Sequence, residues 1–309
     1  MLARLLRRLL LGQVLAGAGL GWLMAGRTGA APWWIAAMAM LTPLATLLLV
    51  NMTTTLKSRA PGANALWWRS VFSEYWISIR VFLLLQPWAK APVLLLPAVQ
   101  PARPSLAPAP AGLPVILVHG YLCNNGVWAV MADRLRRAGH PVLGVDLEPV
   151  FTSIDHYAPL VEQAVAQLCR QTGSQKVALI GHSMGGLAIR SWMRSHGSGR
   201  VARIITLGTP HAGTQMAHLT PTPNGQQMCW QSVWLKELAA SESAATRSLM
   251  RIALTPQDNI VYPQREQVLA GVPVTVFDGL GHLELCFDDK VITWVLQQLD
   301  AAAQGPYPR

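Results

Sequence analysis

Residues 177–187, with the sequence VALIGHSMGGL, constrain the fold of this chain more than any other stretch. They begin as a short apolar run, which predicts a buried strand, and continue into a segment with helical spacing and no proline. Between the two lies the pentapeptide G-x-S-x-G, which in a strand–turn–helix context places its serine on a sharp, strained turn. We therefore expect the hydroxyl of Ser183 to be exposed at the carboxyl end of a strand, with the amide of Met184 at the positive end of the following helix. The alternative is a glycine-rich turn that binds nothing, because the motif fixes few positions.

Residues 112–303 alternate short apolar runs with segments of helical spacing. The apolar runs predict strands at 115–118, 142–145, 177–180, 202–207, 249–254 and 274–277. The helical segments lie at 127–138, 157–170, 187–193 and 290–302. Strands separated by helices indicate an α/β fold, with a mostly parallel sheet and helices on both faces. The long insertion at 212–248 predicts one or two short amphipathic helices, which form either an apolar cap over a site or a simple cover for the sheet.

A serine hydroxyl is a weak nucleophile at neutral pH, and it needs an adjacent base that is oriented by an acid. Two suitable residues follow Ser183, because Asp258 and His282 each lie in a loop after a predicted strand. The carboxyl ends of parallel strands share one edge of the sheet, so the sequence predicts a Ser183–Asp258–His282 triad there. Asp278 and Asp146 also end predicted strands, and they remain rival candidates for the acid.

Four other polar residues have simpler interpretations. His182, inside the pentapeptide, is predicted to pack, and His211 is predicted to brace the site. Asp288 and Asp289 resemble a helix start more than a calcium site, because adjacent carboxylates usually cap or solvate a helix. We expect neither a metal nor a cofactor.

These motifs together resemble the α/β-hydrolase superfamily, and within it the bacterial triacylglycerol lipase and esterase group. The matching stretches are VHGYL at 118–122, GHSMGG at 181–186, LGTPHAG at 207–213, and the loops that hold Asp258 and His282. The resemblance covers residues 115–290 and excludes the first hundred residues. It implies an oxyanion hole made by the backbone amides of Tyr121 and Met184, and cleavage of carboxylic esters, of lipid or acyl type, through an acyl-enzyme.

Two other functions stay open on the sequence. Acyl transfer to an alcohol other than water uses the same triad, so the triad alone does not separate a hydrolase from a transferase. A non-catalytic scaffold is the third possibility, although such proteins usually lose a triad residue and this chain keeps all three.

Residues 1–60 contain two uncharged runs, 9–26 and 33–52. Each is long enough to cross ~30 Å of hydrocarbon, so together they predict a transmembrane helical hairpin. A cleaved signal peptide is the alternative for the first run, but a second full-length run argues against it.

The charge of the chain is concentrated around that hairpin. Residues 1–100 contain nine Lys/Arg and a single acidic residue, Glu74, while the remainder is nearly neutral. The basic residues at the two outer ends are Arg4, Arg7 and Arg8 before the hairpin, and Lys57, Arg59 and Arg69 after it; Arg27 lies in the connecting loop. This distribution predicts that both ends of the hairpin, and with them the catalytic domain, lie on the cytoplasmic side. Together with the resemblance to bacterial lipases, it implies a multi-pass protein of a bacterial inner membrane. It does not resemble a basic face for nucleic acid.

Residues 61–96 mix tryptophans with basic residues, which predicts either an interfacial helix or an accessory helix packed on the catalytic domain. Residues 97–114 contain six prolines and predict a stiff, extended linker. We therefore expect that deleting residues 1–100 releases a soluble, active domain.

Overall fold

The computed structural model describes residues 1–29, 31–59, 64–97 and 112–303. Six parallel strands form one sheet in the order β2-β1-β3-β4-β5-β6. They are β1 Val115–Val118, β2 Val142–Val145, β3 Val177–His182, β4 Val201–Leu207, β5 Met250–Leu254 and β6 Val274–Val276. Each strand end lies within two residues of its prediction, so the predicted α/β fold class is confirmed.

Helices cover both faces of this sheet. In chain order they are α4 Ala129–Arg137, α5 Ala158–Thr172, α6 Met184–His196 and α10 Asp289–Ala303. Apolar residues of α5 and α6 pack against one face, and those of α4 and α10 pack against the other. Because β1 and β3 are buried on both faces, they appear in the sequence as continuous apolar runs without polar alternation.

The strand order determines where a site can form. The chain leaves β1 for β2 at the sheet edge and then returns to the other side of β1 as β3. Such a reversal opens a crevice beyond the carboxyl ends of the two central strands. The loops after β1, β3, β5 and β6 carry Tyr121, Ser183, Asp258 and His282 respectively, and all four emerge at this edge.

The insertion at 212–248 contains more pieces than the one or two helices predicted. A 3₁₀ turn is followed by three short helices, which are α7 Pro223–Gln227, α8 Val233–Ala240 and α9 Ala244–Ser248. Each helix begins where a side-chain oxygen caps its first turn, from Thr222, Ser232 and Ser243. These caps divide the segment, and apolar spacing alone did not reveal them.

The N-terminal region starts with an antiparallel hairpin of two long helices, α1 Leu2–Thr28 and α2 Trp33–Ser58. Small residues bring them together, since a Cβ at Gly17 would lie 2.3 Å from the Met38 carbonyl oxygen. Glycines four residues apart are typical of closely packed membrane helices. Both helices are long and apolar enough to cross a membrane, and only 11% of the most apolar stretch of each is buried.

A third helix, α3 Asn64–Ile79, lies between the hairpin and the part of the chain that forms the sheet. It is followed by a π-helical turn, Arg80–Leu85, and a 3₁₀ turn, Gln86–Trp88. One face of α3 is buried, while Trp68, Phe72 and Trp76 on another face are exposed. Farther along, Leu95 pairs with Val142 of β2 through two backbone hydrogen bonds of 2.8 and 2.9 Å. Most of the predicted linker, residues 98–111, lies outside the described residues.

Candidate active site

Ser183 occupies the turn between β3 and α6, with φ 54° and ψ −129°. This positive φ is costly for a residue with a side chain, and two close contacts hold it. The Ser183 N–H donates to the Leu207 carbonyl at 2.9 Å, and a Cβ at Gly185 would lie 2.0 Å from the Val118 carbonyl oxygen. The turn is therefore locked between β1 and β4.

Ser183 is less accessible than the exposed turn expected from the sequence, since only 6% of the residue is exposed. The loop after β1 closes over it, because a Cβ at Gly120 would lie 2.7 Å from the Ser183 Cβ. Glycine at 120 is required by this approach. The loop after β1 and the turn after β3 therefore lie in close contact at Ser183.

Asp258 and His282 form a hydrogen-bonded pair, with His282 Nδ1 2.8 Å from Asp258 Oδ2. The second oxygen, Asp258 Oδ1, accepts the N–H groups of Ile260 at 2.9 Å and Val261 at 2.7 Å. Because the carboxylate is an acceptor, Nδ1 of His282 is protonated and Nε2 carries the lone pair that a base needs. Among the described residues, no hydrogen bond joins Ser183 Oγ to His282.

Two opposing influences act on the pKa of His282. Burial is the largest and lowers it, but the charge and hydrogen bond of Asp258, together with the charge of Glu74, raise it more. The pKa therefore lies above the usual value for histidine, which favours an imidazolium that forms during a reaction. The ring also contacts His182, whose Nε2 lies 3.1 Å from the His282 carbonyl oxygen. Burial and the neighbouring His282 hold the pKa of His182 well below its usual value, so His182 is neutral and donates this hydrogen bond.

The two candidate oxyanion donors are the amides of Tyr121 and Met184, and neither donates a hydrogen bond to another described residue. His119 supports the first of them. Its Nε2 accepts the Leu147 N–H at 3.0 Å, so its Nδ1 carries the proton and donates to the Gly120 carbonyl at 2.9 Å. This neutral form agrees with burial, which lowers the pKa of His119.

The rival acids lie elsewhere. Asp278 is exposed at the end of β6, and the structure gives it no contact with His282. Asp146 accepts the Asn125 N–H at 2.9 Å and so supports the loop after β1. Of the three candidate acids, only Asp258 contacts the His282 ring.

The remaining candidates have structural contacts. His211 is buried between Thr206 Oγ1 at 3.0 Å and Arg190 Nη1 at 3.3 Å. Asp288 accepts the Lys290 N–H at 2.8 Å at the start of α10. Its neighbour Asp289 pairs with Arg134 at 3.1 Å, and no metal-binding cluster of His, Cys, Asp and Glu occurs within the described ranges.

The insertion at 212–248 borders the site and is fastened to the sheet. Tyr121 Oη lies 3.3 Å from Thr222 Oγ1 at the start of α7. Asp155 accepts the Trp234 Nε1–H at 2.9 Å, and the buried Arg190 of α6 pairs with Glu242 at 2.5 Å. An ion pair removed from water is costly to break, so this insertion is held in one position.

Sequence reasoning missed another carboxylate near the site, that of Glu74 in α3, which contacts the loop that holds His282. Its two oxygens accept the Leu283 N–H at 2.9 and 3.1 Å, and one of them also accepts the Glu284 N–H at 3.2 Å. Arg69 of the same helix donates to the Gly279 carbonyl and lies 3.4 Å from Glu284. A signal existed, because Glu74 is the single acidic residue of the first hundred.

The N-terminal region also contacts the other loops. Gln86 Oε1 accepts the Asn124 N–H at 3.1 Å in the segment after Tyr121. Asn259, next to Asp258, donates to Thr54 Oγ1 of α2 at 3.1 Å. These contacts argue against the expectation that deletion of residues 1–100 leaves an intact active domain. That expectation treated the prolines after residue 97 as the only connection between the two parts of the chain.

Comparisons with known proteins agree with this architecture. Residues 114–248 match the family model for the α/β hydrolase fold. A segment of 113 residues is 36% identical to a triacylglycerol lipase of Pseudarthrobacter phenanthrenivorans, covering 34% of this chain and 35% of that protein. A triacylglycerol lipase of Burkholderia plantarii is likewise 36% identical over 113 residues, covering 34% and 31%. The chain thus spans about a third of the length of the curated relatives it matches.

Solved structures extend the likeness over the sheet. The mature form of the Bacillus licheniformis lipase BlEst2 superposes with a TM-score of 0.56 at 18% identity, covering 67% of this chain and 97% of that one. At this identity the superposition shows the fold alone. The resemblance inferred from the sequence motifs is thereby confirmed, and the part of the chain from β1 to α10, here called the hydrolase domain, has the α/β-hydrolase fold.

Proposed function

We propose that this protein is a membrane-anchored serine hydrolase that cleaves carboxylic esters of lipid or acyl type through an acyl-enzyme. The observation that carries the proposal is the arrangement of three side chains at one edge of the sheet. There Ser183 occupies a strained turn after β3, and Asp258 and His282, joined at 2.8 Å, lie in the loops after β5 and β6. The lipase relatives support the substrate class, although they match only part of the chain.

The residues divide the reaction as follows. Ser183 Oγ attacks the ester carbonyl carbon while Nε2 of His282 takes its proton, and Asp258 keeps the imidazole in the required tautomer. The amides of Tyr121 and Met184 stabilise the oxygen that becomes negative. When the tetrahedral intermediate collapses, the C–O bond to the alcohol breaks and His282 returns the proton to the leaving oxygen. Water then repeats the sequence on the acyl-enzyme and releases the acid.

The membrane part of the proposal rests on the helices before the hydrolase domain. α1 and α2 are the anchor, and α3 lies beside α2, since Tyr75 Oη donates to the Leu44 carbonyl at 3.1 Å. The exposed row of Trp68, Phe72 and Trp76 then faces the interface, where amphipathic aromatic rings are favoured. An apolar ester would reach the site from the bilayer.

The basic residues outside the hairpin favour a cytoplasmic hydrolase domain. Arg69 is weaker evidence for this orientation than the sequence suggested, because its side chain is hydrogen-bonded to Gly279 and Glu284 within the protein. A phosphatase reporter fused after residue 97 tests the orientation. We expect it to be inactive, because this phosphatase requires export; an active fusion would place the hydrolase domain outside.

A chain-length series of nitrophenyl esters tests the activity, with the full-length protein in detergent. Ser183→Ala should lower turnover on the order of 10³-fold or more. Ser195→Ala, which removes an exposed hydroxyl of the same helix, is the matched control and should change nothing. Equal turnover by wild type and Ser183→Ala would refute the proposal. Adding a second alcohol and analysing the products separates hydrolysis from acyl transfer.

A further inference from the structure

Glu74 is an unusual buried group, because the residue is 2% exposed and no Lys or Arg of the described residues forms an ion pair with it. Removing a carboxylate from water without a cation is costly. The compensation comes from two backbone N–H groups, that of Leu283 at 2.9 and 3.1 Å from the two oxygens and that of Glu284 at 3.2 Å from one of them. These are the two residues that follow His282.

Glu74 also packs closely against Gly281, the residue that precedes His282. A Cβ at Gly281 would lie 2.3 Å from Glu74 Oε2, so the space that a side chain would need is occupied by this carboxylate. The Gly281 N–H is directed instead to Glu284 Oε2 at 3.0 Å, and Ser73 of α3 donates to the same oxygen at 2.6 Å. The backbone on both sides of His282 therefore rests on α3.

We propose that Glu74 is a positioning residue for the ester hydrolysis: by fixing the amides after His282, it holds the imidazole between Asp258 and Ser183. This inference rests on the activity proposed above. Asp258 determines the tautomer of the ring and His182 holds the carbonyl of His282, while Glu74 determines where the loop lies. A base displaced by a fraction of an ångström from its nucleophile loses much of its effect.

The position of Glu74 also links the loop to the anchor helices. The Asn51 side chain of α2 donates to the Val71 carbonyl of α3 at 2.9 Å, and the helix is bound again through Tyr75 to Leu44. α3 is thus a rigid connection between α2 and the His282 loop. The anchor supplies part of the catalytic geometry as well as a location.

The negative charge of Glu74 should also affect the pKa of His282, an effect that packing alone would not produce. Burial raises the pKa of Glu74 to about 7, and the negative charge of Glu74 in turn raises the pKa of His282. The other titratable or charged groups near Glu74 and its loop are Asp258, Glu284, Arg69, His182, Cys123 and Cys286. Neutralising residue 74 should therefore lower the pKa of His282 and move the acidic limb of the activity profile to lower pH.

The test compares wild type with Glu74→Gln and Glu74→Asp in full-length, detergent-solubilised protein, with a nitrophenyl ester from about pH 5 to about pH 9. Rates are expressed per site titrated with a fluorophosphonate, so unfolded molecules do not count. Glu74→Gln should lower kcat about 10-fold or more with little change in KM, and it should shift the acidic limb downwards. Glu74→Asp should lower kcat but keep the limb near its wild-type position. Glu237→Gln, which removes an exposed carboxylate of α8, is the control and should match wild type.

Two results would overturn the inference while leaving the hydrolase intact. One is a Glu74→Gln protein with the kcat and the acidic limb of wild type. The other is a lower kcat with an unmoved limb, which indicates a packing role only. A wild-type protein without Ser183-dependent turnover would instead refute the proposed function. Folding of Glu74→Gln is expected, because glutamine keeps the shape of the side chain and a carbonyl oxygen that can accept the Leu283 N–H.

Discussion

The two regions of this molecule contribute to the candidate site in different ways. In the hydrolase domain, strand ends place Ser183, Asp258 and His282 at one edge, and backbone geometry holds each of them. No described residue of the N-terminal region forms a hydrogen bond with Ser183, the Asp258 side chain or the His282 ring. Its side chains instead bind the loops, through Gln86 after β1, Thr54 beside Asp258, and Glu74 beside His282. If the proposed function holds, the residues that perform the chemistry and the residues that position them come from separate parts of the chain.

The largest expected loss of activity follows from replacing Asp258, the candidate acid of the hydrolase domain. Asp258→Asn should lower kcat on the order of 10⁴-fold, because the amide cannot keep His282 in the required tautomer. Asp278→Asn is the matched control, since Asp278 is exposed, and it should have little effect. Steady-state kinetics of both variants decide between them. A deep loss at 278 with a mild loss at 258 would reverse the assignment.

The next effect concerns the N-terminal region as a whole. A protein that lacks residues 1–97 should lose at least about 10²-fold in kcat per folded molecule, because three loops lose their supports. Cleavage at a protease site inserted within 98–111 provides the control. It leaves both parts present, and their contacts should keep the cut protein associated and active in detergent. Full activity of the shortened protein would show that the N-terminal region serves only as an anchor.

The smallest effect is on stability and its pH dependence. The pKa of Glu74 is about 7 in the folded protein and near 4.5 when unfolded, so the folded state binds more protons between these values. The free energy of unfolding should therefore fall by about 3 kcal/mol as pH rises from 4.5 to 7. His282, whose pKa is also raised, adds a fall as pH rises through its folded pKa.

Glu74→Gln removes the first contribution and reduces the second, because the charge of Glu74 is one of the causes that raise the pKa of His282. Denaturant unfolding of both proteins in detergent, at about pH 5 and about pH 8, measures the difference. The variant should lose less stability than wild type as pH rises. Identical losses in the two proteins would show that Glu74 titrates near its ordinary value.

The sequence predicted the sheet well, because strands buried on both faces leave continuous apolar runs, as in Val115–Val118. It also placed Ser183 before a helix, since glycines and spacing are local signals. The contact of Glu74 with the His282 loop could not be predicted, because its partner Leu283 is 209 residues away. Hydrogen bonds between such distant residues leave no periodic pattern in the sequence. The low exposure of Ser183 could not be predicted either, because it depends on a contact with Gly120, which is distant in the sequence.

The identity of the nucleophile is the central claim, and covalent labelling tests it most directly. Full-length protein in detergent is treated with a fluorophosphonate, digested and mapped by mass spectrometry. We predict one adduct, on Ser183, which is absent in Ser183→Ala and forms more slowly in Asp258→Asn. An adduct on another residue, or ester turnover in wild type that continues after Ser183 is replaced, would contradict the account.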